Sequence, residues 1–227
     1  MKVNENGPHT YLNSKNEEIP SVTHIISIMN KKGINSWANM LGFKRISLRK
    51  FLDEKAIIGT LVHEKIENYF QKTEPKPFFD ASIDKEVNKR LDLFKLWANE
   101  AQPEVIWEEK EFTNERYGGK IDLLARMYEN EKIVLIDFKT SKSVHASQFL
   151  QLGGYLNLIQ YNEPEMYERI ELCQIVAIND KIHHGIRTKK EMLAYQEAFE
   201  DCYNLYIHWD KILKDHWNDS LKNLGVY

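Results

Sequence analysis

Cysteine is scarce in this chain. There are two in 227 residues, Cys173 and Cys202, far apart and forming no CxxC pair. That leaves too few thiolates for a four-cysteine iron–sulfur cluster or a structural zinc site, and it suggests a reducing compartment. Long apolar runs are also missing: nothing approaches the roughly 20 residues that span a bilayer. The opening stretch MKVNENGPHTYLNSKNEEIP lacks the apolar centre of a signal peptide. The expectation is a cytoplasmic protein with no membrane partner. Repeats and low-complexity tracts are absent. So is a large excess of one charge: a net charge of −3 excludes a wholly basic nucleic-acid coat but not a local basic groove.

What is present reads as one domain over residues 1–227. Hydrophobic content of 42% and charged content of 29% argue against disorder. Ser21 is a plausible N-cap for a helix carrying Ile25, Ile26 and Met29, ended by Lys31-Lys32-Gly33. A short helix follows over 36–41, then the basic stretch FKRISLRKFLDEK. Helical spacing of Ile58, Val62, Ile66 and Tyr69 predicts a helix over 55–71, and that of Val87, Leu91, Phe94 and Ala98 another over 82–99. The period then changes to two: 104–113, 119–127 and 132–140 read as consecutive strands, 144–161 as a helix and 170–178 as a fourth strand. The order αβββαβ is a mixed α/β (α+β) layer, not a parallel βαβ series. It divides the chain into an N-terminal helical part (1–54), a core (55–180) and a C-terminal helix (186–224). Tyr195, Phe199, Cys202, Tyr206, Trp209 and Leu213 form an apolar seam on that last helix. Packing against its own domain is the favoured reading, and a homo-oligomer through the helix is the other.

Ile133-Val134-Leu135-Ile136 is apolar on both alternating faces, as in a doubly buried strand, yet it runs straight into Asp137-Phe138-Lys139. Alternation places Leu135, Asp137 and Lys139 on one face. If Glu129-Asn130 is a two-residue hairpin loop, Asp122 stands opposite Asp137, about 4.5–5.5 Å away. Two like charges that close repel by roughly 3 kcal/mol at an effective dielectric of 20. A cation between them, or a proton on one, removes that cost, and two carboxylates on a rigid sheet suit Mg²⁺. The pattern also fits a strand-end salt bridge with Asp122 capping a turn. His63 and Glu67 lie at i and i+4 on one helix face. The imidazole is a good Mn²⁺ ligand, or a structural group. Gln151 and Tyr155 share a face beside the core stripe of their helix; for Gln151 the plain alternative is a solvated amide. Gly153-Gly154 in the same helix suggests close packing of another backbone.

Taken in order, Gly59-Thr60-x-x-His63, Gly119-x-Ile121-Asp122, Asp137-Phe138-Lys139-Thr140-Ser141 and Gln151-x-x-x-Tyr155 resemble the PD-(D/E)XK nuclease superfamily, in its RecB-like and phage-type exonuclease branch. IPSVTHIISIMN followed by INSWANMLGF is similar to the N-terminal part of phage-type and mitochondrial genome maintenance exonucleases. Ile121 stands where the superfamily's name has proline. The cluster cysteines of the CRISPR-associated and helicase-linked relatives are missing, so no iron–sulfur cluster is expected.

The resemblance implies a restriction-endonuclease-like core and a metal-dependent DNA nuclease, most simply an exonuclease in recombination, repair or replication. Its alternatives are a DNA endonuclease and a non-catalytic DNA-end-binding protein. It also implies roles. Asp122, Asp137, His63 and the Phe138 main-chain carbonyl would hold Mg²⁺ or Mn²⁺. Lys139 would orient or polarise the attacking water. Gln151 and Tyr155 would position the substrate backbone or brace the lysine, and Thr140 and Ser141 would help position the substrate. Glu67 and either Glu109 or Glu111 would support the metal shell. Lys44, Arg45, Arg49 and Lys50 could meet phosphates, with Trp37 stacking on a base. These last five also read as a solvated charged face and a core aromatic.

Overall fold

The computed structural model describes residues 10–29, 34–74 and 80–223; the side chains of 34–37 and 214–223 are outside the description. The chain builds a mixed α/β layer around a five-stranded sheet ordered β3-β4-β5-β6-β7: Pro103–Thr113, Gly118–Met127, Ile133–Lys139, Ile170–Ile178 and Ile182–Thr188. The first three strands are an antiparallel meander. β5 and β6 are parallel, joined over the helices α5 (Ala146–Asn162) and α6 (Pro164–Arg169), and β7 returns antiparallel. This agrees with the restriction-endonuclease-like architecture.

β5 is the middle strand, and all its residues from Ile133 to Phe138 are buried. Its alternation feeds two cores. Ile133 and Leu135 pack with α5 and with α7 (Lys189–Asn223) on one face. Val134, Ile136 and Phe138 pack with α3 (Leu48–Gln71) and α4 (Ala81–Ala101) on the other. Phe94 and Trp97 of α4 meet the Phe138 ring edge-on at 5.4 and 5.2 Å.

The β4–β5 connection corrects one expectation. The loop is the four residues Tyr128–Glu131, with Met127 N–H donating to the Lys132 carbonyl and Glu131 in the left-handed region at φ 58°. The register is nevertheless the expected one, with Leu123 opposite Ile136 and Leu124 opposite Leu135. A longer loop on the same axis leaves the pairing unchanged.

Ser21 does cap α1 (Val22–Ile26), accepting from His24 N–H at 3.1 Å. That helix ends well before Lys31-Lys32-Gly33, which lie outside the described residues. The short helix is α2 (Ile34–Phe43). α3 starts at Leu48 rather than 55, because Ser47 caps it within the basic stretch. Tyr69, expected on its core face, is exposed. Residues 186–188 belong to β7, not to the last helix, which Thr188 and Glu191 start by a reciprocal pair of hydrogen bonds. Three features carried no clear sequence signal: β7, the short α6, and a hairpin of β1 (Thr10–Leu12) with β2 (Glu18–Pro20).

The helical glycines have the expected use. A Cβ on Gly153 would lie 2.5 Å from the Tyr195 carbonyl oxygen, so α5 and α7 touch backbone to backbone. Of the seam on α7, Tyr195, Phe199, Cys202 and Tyr206 join the core, while Trp209 and Leu213 are about half exposed, at 51% and 50%. Among the described residues no helix is long and apolar enough to cross a membrane.

Candidate active site

Strands β4 and β5 stop pairing after Leu123 and Ile136. Beyond that point Asp122 accepts a hydrogen bond from Phe138 N–H with its Oδ2, at 2.7 Å. Strand alternation slips here. Ile121 and Leu124 pack into the α5–α7 core, while Leu123 packs into the α3–α4 core. Ile121 and Leu123 would share a face in a regular strand. In β3, between the pairs Glu108–Leu123 and Lys110–Ile121, Glu109 has φ 44°. A non-glycine residue in that region stores strain, which collects at functional sites.

Three metal-ligating side chains converge at this slip: one ligand atom each from His63, Glu109 and Asp122 lies within 4.8 Å of the others. His63 Nδ1 is 3.6 Å from Asp122 Oδ2. Glu109 comes from β3 and forms an ion pair with Lys120 of β4. Burial, then the Asp122 charge, raise its carboxyl to about 7 against the pull of Lys120, with Glu67 adding further negative charge. Sequence left Glu109 and Glu111 equal. The fold separates them, since Glu111 is exposed outside this cluster.

Asp137 is not one of the three. It is wholly buried, and Lys139 Nζ sits 2.7 Å from its Oδ2. Beyond that ammonium, neither carboxylate oxygen has a hydrogen-bond donor among the described residues. Burial raises the Asp137 pKa, Lys139 opposes that, and Asp122 adds to it. For Lys139, burial works against the charge, but Asp137 and Asp122 outweigh it and raise its pKa, so the ammonium persists. The ammonium meets Oδ2 and leaves Oδ1 of a buried carboxylate unsatisfied, a cost that a further cation would remove. Oxygen ligands with one imidazole suit Mg²⁺ or Mn²⁺, so the residues fit the metal.

The other expected residues divide. Gln151 and Tyr155 are both buried, with Gln151 Nε2 donating to Tyr155 Oη at 2.7 Å, so Gln151 is no solvated amide. Tyr155 lies against Gly119, where a Cβ would come within 2.7 Å of its ring. Ser141 is committed locally, donating to the Ser143 carbonyl and accepting from Gln148 at the start of α5. The Thr140 carbonyl accepts from Asn179, and its hydroxyl faces Gly59 of α3. Glu67 accepts from Gln71 at 3.1 Å. Lys44, Arg45, Arg49 and Lys50 are exposed at the α2–α3 corner, with Arg49 4.0 Å from Asp53. The Trp37 side chain lies outside the described residues. Phe43, beside the basic group and 91% exposed, was not singled out by sequence.

A family model for the PD-(D/E)XK nuclease superfamily matches residues 41–215. The chain belongs to the PD-(D/E)XK nuclease superfamily. Several solved structures of exonucleases are similar to this superfamily member at low identity. The alkaline exonuclease LHK-Exo from Laribacter hongkongensis is 11% identical with a TM-score of 0.40, covering 91% of this chain and 94% of that one. LHK-Exo in complex with dAMP gives 12% and 0.36, covering 72% and 84%. A phage-related exonuclease from Haemophilus somnus 129PT gives 12% and 0.35, covering 69% and 82%. No curated protein matches.

Proposed function

We propose that this chain is a Mg²⁺- or Mn²⁺-dependent deoxyribonuclease that hydrolyses DNA phosphodiester bonds, working as an exonuclease in recombination, repair or replication. The observation that carries the reading is the buried Asp137 carboxylate, short of directed donors and next to Lys139, behind the cluster of His63, Glu109 and Asp122. A buried ion pair alone can be structural; beside a cluster of two carboxylates and an imidazole it fits metal-assisted hydrolysis of a phosphodiester.

In this reading His63, Glu109, Asp122, Asp137 and the Phe138 carbonyl hold the cation. A divalent ion bound there supplies positive charge that activates water and polarises the phosphate. The chain's own residues do the rest. Asp122 is fixed by the Phe138 N–H and keeps the ends of β4 and β5 in one geometry. Lys139 carries its proton at neutral pH and offsets charge developing on the phosphate. Glu109 is restrained by Lys120. The Gln151–Tyr155 pair braces β4 through Gly119. Lys44, Arg45, Arg49 and Lys50 draw the DNA backbone, and Phe43 offers a face for a base.

The test is incubation of the purified chain with Mg²⁺ or Mn²⁺ on end-labelled linear and on circular DNA. Mononucleotides or short fragments from linear DNA only are expected. Cutting of circles makes it an endonuclease. Binding to ends without cutting in either metal makes it a DNA-end-binding protein.

A further inference from the structure

Phosphodiesters must approach a site crowded with carboxylates, so the donors available there matter. Lys120 is paired with Glu109 and Lys139 with Asp137. Tyr11 offers a donor that is not yet used. Its ring lies on Gly118, four positions before Asp122, so closely that a Cβ there would be 2.4 Å from Tyr11 Cγ. The strand that carries it is held in place. Asn13 Oδ1 accepts from the N–H groups of Lys15 and Glu17 in the β1–β2 turn, and Ser21, just past β2, bridges to Gly118. Tyr11 and Tyr155 thus press on the successive glycines Gly118 and Gly119.

Among the described residues the Tyr11 hydroxyl has no hydrogen-bond partner, although the residue is half-buried and within the field of Glu111 and Glu109. An ordinary phenol holds its proton at neutral pH, so the hydroxyl is a donor. A neutral donor can serve a phosphate without forming an ion pair with the metal ligands, as a lysine there would.

We propose that the Tyr11 hydroxyl contacts the substrate, donating a hydrogen bond to a non-bridging phosphate oxygen of the DNA strand, and that the β1–β2 hairpin borders the path of that strand. This rests on the nuclease reading above and extends it to a segment outside the motifs.

The experiment compares wild type, Tyr11→Phe and Tyr11→Ala in Mn²⁺-supported DNA cleavage, with melting temperature and Mn²⁺ affinity measured on each. Tyr11→Phe keeps the ring on Gly118 and removes only the hydroxyl. It is expected to lower kcat/KM about tenfold or more, with the melting temperature within about 1 °C and Mn²⁺ affinity unchanged. Tyr11→Ala should add a loss of stability. Wild-type kinetics in Tyr11→Phe overturn the inference alone and leave the nuclease reading standing. A loss that comes with weaker Mn²⁺ binding or lower stability also overturns it, by making Tyr11 structural. A wild-type chain that binds Mn²⁺ but cuts no DNA sinks both.

Discussion

Asp137 and Glu109 are carboxylates kept in places where a proton or a cation suits them better than bare charge. Asp137→Asn should abolish cleavage, by about 10³-fold or more, while circular dichroism and thermal melting still report a folded chain. Lys139→Ala should do the same. Retained activity in both variants would remove the site assignment. Glu109 and Glu111 make a sharper pair, only two positions apart. Glu109→Gln should weaken Mn²⁺ binding in a calorimetric titration by about tenfold or more, and Glu111→Gln should leave it near wild type. Sequence could not separate the two, because the difference is a backbone event. Glu109 takes φ 44°, and alternation slips beside it at Asp122. No residue type in Glu108-Glu109-Lys110 marks that slip. By contrast Asp122, Asp137 and Lys139 stood out through the order of their motifs, since a charge at the end of an apolar strand fits a structural ion pair as well.

At the scale of elements, the meander β3–β4–β5 and the α5 crossover were readable because each carries a clean period of two or of 3.6. β5, with both faces apolar, could only be central. β7 was missed because its burial alternates weakly at the sheet edge, and its tail was absorbed into the next helix. The contact of α5 with α7 depends on Gly153. Gly153→Ala would place a methyl 2.5 Å from the Tyr195 carbonyl oxygen, which is backbone and cannot swing aside. The overpacking should cost about 1–3 kcal/mol, seen as a melting temperature lowered by roughly 2–10 °C.

For the whole molecule, the raised carboxyl of Glu109 ties stability to pH and to metal. The folded chain holds that proton to about 7, while the unfolded chain releases it near the ordinary value of 4.5. Metal-free stability attributable to Glu109 is therefore greatest in acid and declines as pH rises from about 4.5 to 7. The loss amounts to at most about 3 kcal/mol. Urea denaturation between pH 5 and 8 should show this slope, with Asp137 adding to it below about 6, and Glu109→Gln should reduce it most between pH 6 and 7. If the cluster holds the cation as proposed, Mn²⁺ would bind its deprotonated form, so added Mn²⁺ should stabilise the chain most above pH 7 and least at pH 5. A metal effect independent of pH would separate Glu109 from the cation.

Most of the core element order and the β4–β5 register followed from the sequence, because periodicity and strand pairing are local and repeat along the chain; Asp122, Asp137, Lys139 and His63 were singled out by the resemblance of their motifs in order. Three things needed the tertiary structure: the choice of Glu109 over Glu111, the burial of the Gln151–Tyr155 pair, and the arrival of Tyr11 at Gly118. Each depends on segments far apart in sequence meeting at one strand end, where backbone strain, close packing and desolvation are set by the neighbours and not by the residue itself.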